Sequence, residues 1–343
     1  MPQPRIDVHT HILPPHLPPW AQRHAPEHGF IQLDHHAPCR ARMVTDDGRF
    51  FREVEHNCWD PEVRLRECEA MAVGVQVLST VPVLFGYQRP AAVADDVARF
   101  LNDHLASVCQ RFPRRFVGLG TLPLQDPDRA VRELERCVGE LGLAGVQLGS
   151  HVNAWNLDEA PLLPVWQRAA ELGAAVFVHP WDMMGQERMP RHWLPWLVGM
   201  PAEVSLAICS VLMGGILERW PQLRLCFAHG GGAFAGTVGR IDHGFQARPD
   251  LCATQVSHPP SHYLGRFWVD SLVHDARALR LVLETFGVDR VAVGSDYPFP
   301  LGEAMPGALV ESLGLPPAQE QGILVDNALA WLGRGAMGLD LGA

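Results

Sequence analysis

The chain has 343 residues, 47% of them hydrophobic, and a formal net charge of −10, enough apolar material for one large α/β core or two ordinary ones. The acidic balance argues against nucleic acid or an anionic membrane surface as partner. All 28 basic positions are arginine, which excludes a Schiff-base lysine, a pyridoxal-phosphate anchor, a P-loop lysine and a carbamylated lysine between two metals.

In chain order, the first element is "RIDVHTH" (5–11), a short apolar run that reads as a strand. Side chains two apart on a strand share a face, so His9 and His11 sit roughly 6–7 Å apart at Cα and can converge on one ion, while Ile6 and Val8 face the other way. Residues 12–60 are rich in proline, histidine and charge, and "DGRFFREV" reads as a small β-hairpin turning at Asp47-Gly48. A helix is expected over 61–73, a strand over "VQVLSTVP" (75–82), a helix over 91–111 and a strand over "FVGLGTLPL" (116–124). The alternation continues with helix 128–140, "GVQLGSH" (145–151), helix 161–172 and "AVFVHP" (175–180). A second long connection, 181–200, holds three tryptophans. It leads to helix 202–220, "LRLCFAHGG" (223–231), "RFWVDS" (266–271), helix 276–286, "RVAVGSDYP" (290–298) and helix 317–331.

Eight strands alternating with helices predict a (β/α)8 barrel of the TIM type, with a small β insertion after strand 1. The expected organisation is a single domain over 1–343, in which the insertion of about 12–60 overhangs the site. A two-domain doubly wound sheet is the alternative; it lacks a glycine-rich turn after its first strand, and "HGGGAFAG" does not give G-x-G-x-x-G. Both long connections leave C-terminal strand ends, where they would form lid or wall.

No apolar run approaches the ~20 residues of a membrane span, and residues 6–8, interrupted by Asp7, are too short for a secretory leader. The eight cysteines are scattered without a C-x-x-C pair, so they read as reduced thiols and a cytoplasmic location is expected.

The C-terminal strand ends offer His9 and His11, His179, His229 and Asp296, all on one rim. Three imidazoles and a carboxylate make a borderline nitrogen–oxygen site suited to zinc, with room for a water. On position alone, His229 is open between ligand and base. Asp270 reads as support behind a ligand or as a satisfied strand-end carboxylate, and His151 as a local hydrogen-bonding residue.

The combination of H-x-H, H-P, "AHGGG" and "SDYP" resembles the amidohydrolase superfamily. "RIDVHTHILP", "NCWDPEVRLRE", "STVPVLFGY", "PRRFVGLGTLPLQ", "HPWDMMG", "WLPWLVGMPAE", "VGRIDHGF" and "GSDYPFPLGE" resemble its zinc-dependent decarboxylase branch over essentially the whole chain. The resemblance implies one zinc held by His9, His11, His179 and Asp296, with His229 as acid/base. It implies that Arg52 holds a substrate carboxylate, that Arg240 reaches into a neighbouring subunit's site of a homodimer, that Trp193 is a wall or gate, and that Phe299 packs beside the substrate. The activity so implied is non-oxidative decarboxylation of 2-amino-3-carboxymuconate-6-semialdehyde, in tryptophan catabolism or a related aromatic pathway. His229 would protonate the carbon bearing the departing carboxylate, with or without prior addition of a zinc-activated water. The alternatives are a metal-dependent hydrolase or an aromatic-acid decarboxylase of the same superfamily, and, in another class, a silent metal-binding barrel. Asp46 and Asp47 depart from the resemblance, standing where some relatives carry basic residues.

Overall fold

β-branched runs become strands here mostly where both faces are covered. The computed structural model describes residues 5–25, 27–336 and 339; the expected domain bounds of 1–343 extend onto residues outside these. β1 (Arg5–Ile12) is buried along its whole length. β2 (Ile31–Ala37), β3 (Arg40–Thr45) and β4 (Phe50–Glu55) form a separate antiparallel sheet. β5 (Val73–Thr80), β6 (Phe116–Gly120) and β7 (Gly145–Gly149) follow, then a two-residue pair, β8 (His151–Val152) with β9 (Trp155–Asn156). β10 (Ala175–His179), β11 (Arg224–Phe227), β12 (Trp268–Asp270) and β13 (Val291–Ala292) complete the set.

The barrel sheet runs β1-β5-β6-β7-β10-β11-β12-β13, all parallel. It closes through a parallel bridge between Thr10 and Tyr297, with Val8 N–H donating to Val293 O and His11 N–H to Tyr297 O, each at 2.8 Å. The molecule is therefore a (β/α)8 barrel with a small β insertion after its first strand. Asp60, Asp126 and Asp275 cap their helices by accepting first-turn N–H bonds, the first two just ahead of a proline at the first helical position.

Four local expectations change. The "DGRFFREV" hairpin is two strands of a three-stranded sheet, joined to β2. Its underside (Phe30, Ile31, Met43, Val54) packs with Val93, Val97 and Leu101 of the helix Ala91–Arg111, so the insertion has a core of its own. The eighth strand is only two residues long, and 293–296 continue as an irregular segment that carries site residues. A helix not expected from the sequence, Phe234–Ala247, follows β11; Gly236, Gly239 and Gly244 lie on its open side and dilute the helical signal. Pro195–Met213, 19 residues with mean hydropathy 1.7, is long and apolar enough to cross a membrane by length and composition, contrary to the sequence reading. Val204, Ala207, Ile208, Val211 and Leu212 of this stretch are buried in the barrel's main core, which accounts for the apolar run.

Candidate metal and active site

Strand alternation turns Asp7, His9 and His11 of β1 to the barrel interior and leaves Ile6 and Val8 to pack outward. His179 ends β10, and Asp296 follows β13 in a left-handed conformation, φ +57°. The four groups His9, His11, His179 and Asp296 present ligand atoms that all lie within 4.8 Å of one another, every residue buried.

Each imidazole is oriented through its other nitrogen. His9 Nδ1 meets Asp270 Oδ2 at 2.7 Å, His11 Nδ1 meets Thr80 O at 3.0 Å, and His179 Nδ1 meets Pro180 O at 2.7 Å. The Nε2 atoms of all three are buried and without a hydrogen-bond partner. Three orphaned nitrogens aimed at one carboxylate are costly unless an ion joins them, so the residues fit a divalent metal. Burial holds His11 and His179 below the ordinary imidazole range, for His179 together with the charges of the neighbouring rings. Both are thus neutral, the form a metal needs. Burial would raise the Asp296 carboxyl, but the imidazoles of His11 and His229 that face it hold it well below the usual range.

His229 stands apart. It ends the run after β11 with φ +55°, followed by three glycines, all at positive φ. A Cβ on Gly230 would come within 2.3 Å of Val273 Cγ1, and one on Gly232 within 2.3 Å of Pro201 O, so this turn needs glycine. Asp270 accepts His229 N–H at 3.0 Å and Gly230 N–H at 2.8 Å while holding His9, so one buried carboxylate positions a ligand and the His229 backbone together. The His229 ring lies 5.2 Å from those of both His9 and His179, and its Nε2 is 3.9 Å from Asp296 Oδ2. Burial works against its protonation, yet the facing carboxylate of Asp296, with the charge of Asp270 behind, raises it above the ordinary value.

Above the cluster a cavity of about 270 Å³ is floored by His11, His179 and Asp296 and walled by both long connections. Arg52 enters it from β4, half-buried, its guanidinium 4.7 Å from the centre of the Phe299 ring. No acidic group pairs with Arg52 among the described residues, and burial lowers its pKa against the pull of Asp296. Trp193 lines the same cavity, 40% exposed and stacked on Trp196 at 5.9 Å. Arg240 is exposed on the helix Phe234–Ala247 and does not line its own chain's cavity. Asp46 and Asp47 also stay out of it: Asp46 accepts Phe30 N–H at 2.9 Å, and Asp47 accepts from Thr45 Oγ1 and pairs with Arg49. His151 makes local contacts with Ser150 and Glu203.

Several supporting residues escaped the sequence reading. Arg64, wholly buried, donates to Gln76 Oε1 (3.0 Å), Thr10 Oγ1 (3.3 Å) and His11 O, pinning the ligand-bearing end of β1. Its signal was present: Pro61, Arg64 and Cys68 share the buried helical face, where an arginine is out of place. Asp7 accepts Ser295 N–H at 3.0 Å beneath the cluster. Trp181 and Trp196, by contrast, line the cavity as the wall expected of the 181–200 connection.

The amidohydrolase family pattern matches residues 6–334. A 2-amino-3-carboxymuconate-6-semialdehyde decarboxylase of Dictyostelium discoideum is 52% identical over 330 residues, covering 96% of this chain and 91% of that protein. One from Caenorhabditis elegans is 42% identical over 357 residues, covering 90% and 88%. In fold, the chain is similar to the crystal structure of a dihydroxybenzoic acid decarboxylase from Polaromonas sp. JS666 with bound manganese and 2-nitroresorcinol. That likeness has a TM-score of 0.76 at 20% identity and covers 96% and 97% of the two chains. With a pattern over nearly every described residue and relatives this similar, the chain belongs to the amidohydrolase family.

Proposed function

We propose that this chain is a zinc-dependent carboxy-lyase that converts 2-amino-3-carboxymuconate-6-semialdehyde to 2-aminomuconate semialdehyde and carbon dioxide without oxidation. Identity of 52% to a decarboxylase of that substrate supports the substrate class. The observation that carries the chemistry is Arg52, a half-buried guanidinium with no acidic partner among the described residues, in a cavity floored by His11, His179 and Asp296. A carboxylate of the substrate is the partner it lacks.

In this reading His9, His11, His179 and Asp296 hold the metal, and their imidazole-rich set favours zinc. When bound, the ion supplies Lewis acidity and brings water toward neutral acidity. Arg52 grips one carboxylate by paired hydrogen bonds, and Phe299 packs beneath the guanidinium and beside the substrate. Trp193 walls the cavity. His229 holds a proton and delivers it to the carbon that bears the departing carboxylate. As that carbon–hydrogen bond forms, the bond to the carboxylate breaks, its electron pair returns to the conjugated chain, and carbon dioxide leaves.

Arg240, exposed and outside its own cavity, is assigned to the second carboxylate in the site of a partner subunit, so the working form is a homodimer. The unit is one barrel domain whose 12–60 insertion supplies Arg52. Eight unbridged cysteines support a reducing, cytoplasmic compartment.

The test is to supply freshly generated substrate to purified zinc-loaded protein and follow its absorbance together with carbon dioxide release. Coupled loss of both supports the proposal. Absorbance loss without carbon dioxide moves the chain to the hydrolases. Turnover of hydroxybenzoates alone, or activity with manganese but not zinc, moves it toward enzymes like the Polaromonas decarboxylase.

A further inference from the structure

The connection after β10 carries Trp193 and Trp196 to the cavity wall, yet its tip is held in costly backbone. His192 and Trp193 lie at φ +61° and +56°, a conformation that side-chain-bearing residues keep only when their surroundings enforce it. The loop is pinned at its neck. On the incoming side, Trp181 Nε1–H donates to His151 O at 2.8 Å, and the two rings stack at 5.5 Å. Two residues past Trp181, Met183 presses on the outgoing side: a Cβ on Gly199 would lie 2.7 Å from Met183 Cβ.

The two sides are joined at one further point. Glu203, in the first turn of the helix Met200–Met213, is 3% exposed and has no arginine partner among the described residues. Its Oε1 accepts Met184 N–H at 2.6 Å; its Oε2 accepts from Ser150 Oγ at 3.4 Å and lies 3.4 Å from His151 Nδ1. A carboxylate at a helix N-terminus is favoured by the helix dipole, but full burial is worthwhile only if the neck bonds are made.

We infer that Glu203 is a positioning residue: it clasps residue 184 to the helix after the loop and so holds Trp193 and Trp196 as a preformed wall of the substrate chamber. It touches neither the metal ligands nor the reacting atoms, so its effect is on substrate capture rather than on the bond-breaking step. This inference rests on the decarboxylase reading for its kinetic arm only.

The experiment compares wild type with Glu203→Ala and Glu203→Gln. Glu203→Ala is expected to raise KM about 10-fold with kcat within about threefold. The same variant should speed trypsin cleavage after the exposed Arg188 and Arg191 within the loop by about 10-fold. Glu203→Gln keeps an acceptor for Met184 N–H and should recover most of both effects. Should Glu203→Ala fail to fold, Gly199→Ala strains the neck from its other side and should shift KM and cleavage the same way. Wild-type KM and cleavage in the Ala variant, or a Gln variant as impaired as Ala, would overturn the inference. If the wild type itself does not release carbon dioxide, the functional reading fails, while the cleavage rates still decide whether Glu203 clasps the loop.

Discussion

Four imidazoles crowd one site, and what separates their roles is the partner of the second nitrogen. His9, His11 and His179 each have Nδ1 tied to a carboxylate or carbonyl, which leaves Nε2 free to coordinate. His229 is placed through its backbone instead, and its Nε2 looks across 3.9 Å at Asp296. Replacing His229 by Ala should therefore lower turnover by about 10²–10⁴-fold, the usual contribution of a positioned acid, while metal analysis still finds about one ion per chain. Loss of the metal in that variant would make His229 a ligand. This division was partly readable beforehand. The i, i+2 spacing of His9 and His11 declares a shared face, and strand ends gather the other groups. Asp7 and Ser295 were not readable as site support, because their pairing is a contact across the barrel that has no local spacing.

At the level of elements, the alternation of strand and helix was legible wherever apolar period and caps agree, as in the helices behind Asp126 and Asp275. It failed where tertiary packing overrides local preference: the glycine-diluted helix Phe234–Ala247, and the last strand, whose residues 293–296 carry Asp296 to the site rather than extend the ladder. The long helix Ala91–Arg111 supplies a measurable consequence of packing. His104, half-buried on it with Nε2 lacking a partner, is lowered by burial from 6.5 to about 4, against a hydrogen bond to Leu13 backbone. The folded state thus disfavours its protonation. Its neutral form costs nothing above pH 6.5, and stability is lost as pH falls from there toward 4. The loss should be of order 2 kcal/mol, allowing for partial exposure. Urea titrations of wild type and His104→Gln between pH 7 and 4 should diverge by that amount. Parallel curves would show that the ring is accessible to solvent in the native state.

For the molecule as a whole, the site lies across the seam where the barrel closes. β1 carries His9 and His11, and the segment after β13 carries Asp296; between them the seam has one parallel bridge and a few backbone bonds rather than a full ladder. An ion shared by both sides would complete the closure, so chelation should cost more than activity. At 100 times its dissociation constant, a ligand bound only to the native state adds about 2.7 kcal/mol. Stripping the metal should lower the melting temperature by several degrees and speed amide exchange first in 5–12 and 291–297, with zinc restoring both; uniform exchange would place the seam's strength elsewhere. The second consequence concerns two copies. If Arg240 serves its neighbour, a dimer of Arg52→Ala with Arg240→Ala subunits contains one doubly damaged site and one intact site, because the intact one takes Arg52 from its own chain and Arg240 from the other. Each pure variant should be nearly inactive. Dissociated and reassociated in equal amounts they form about half mixed dimers, so activity should return to about a quarter of wild type. Zinc content should be unchanged throughout, since neither arginine is a ligand. No recovery on mixing, with mixed dimers present by native mass spectrometry, would return Arg240 to the ordinary surface of its own barrel and leave Arg52 alone against the substrate's carboxylates.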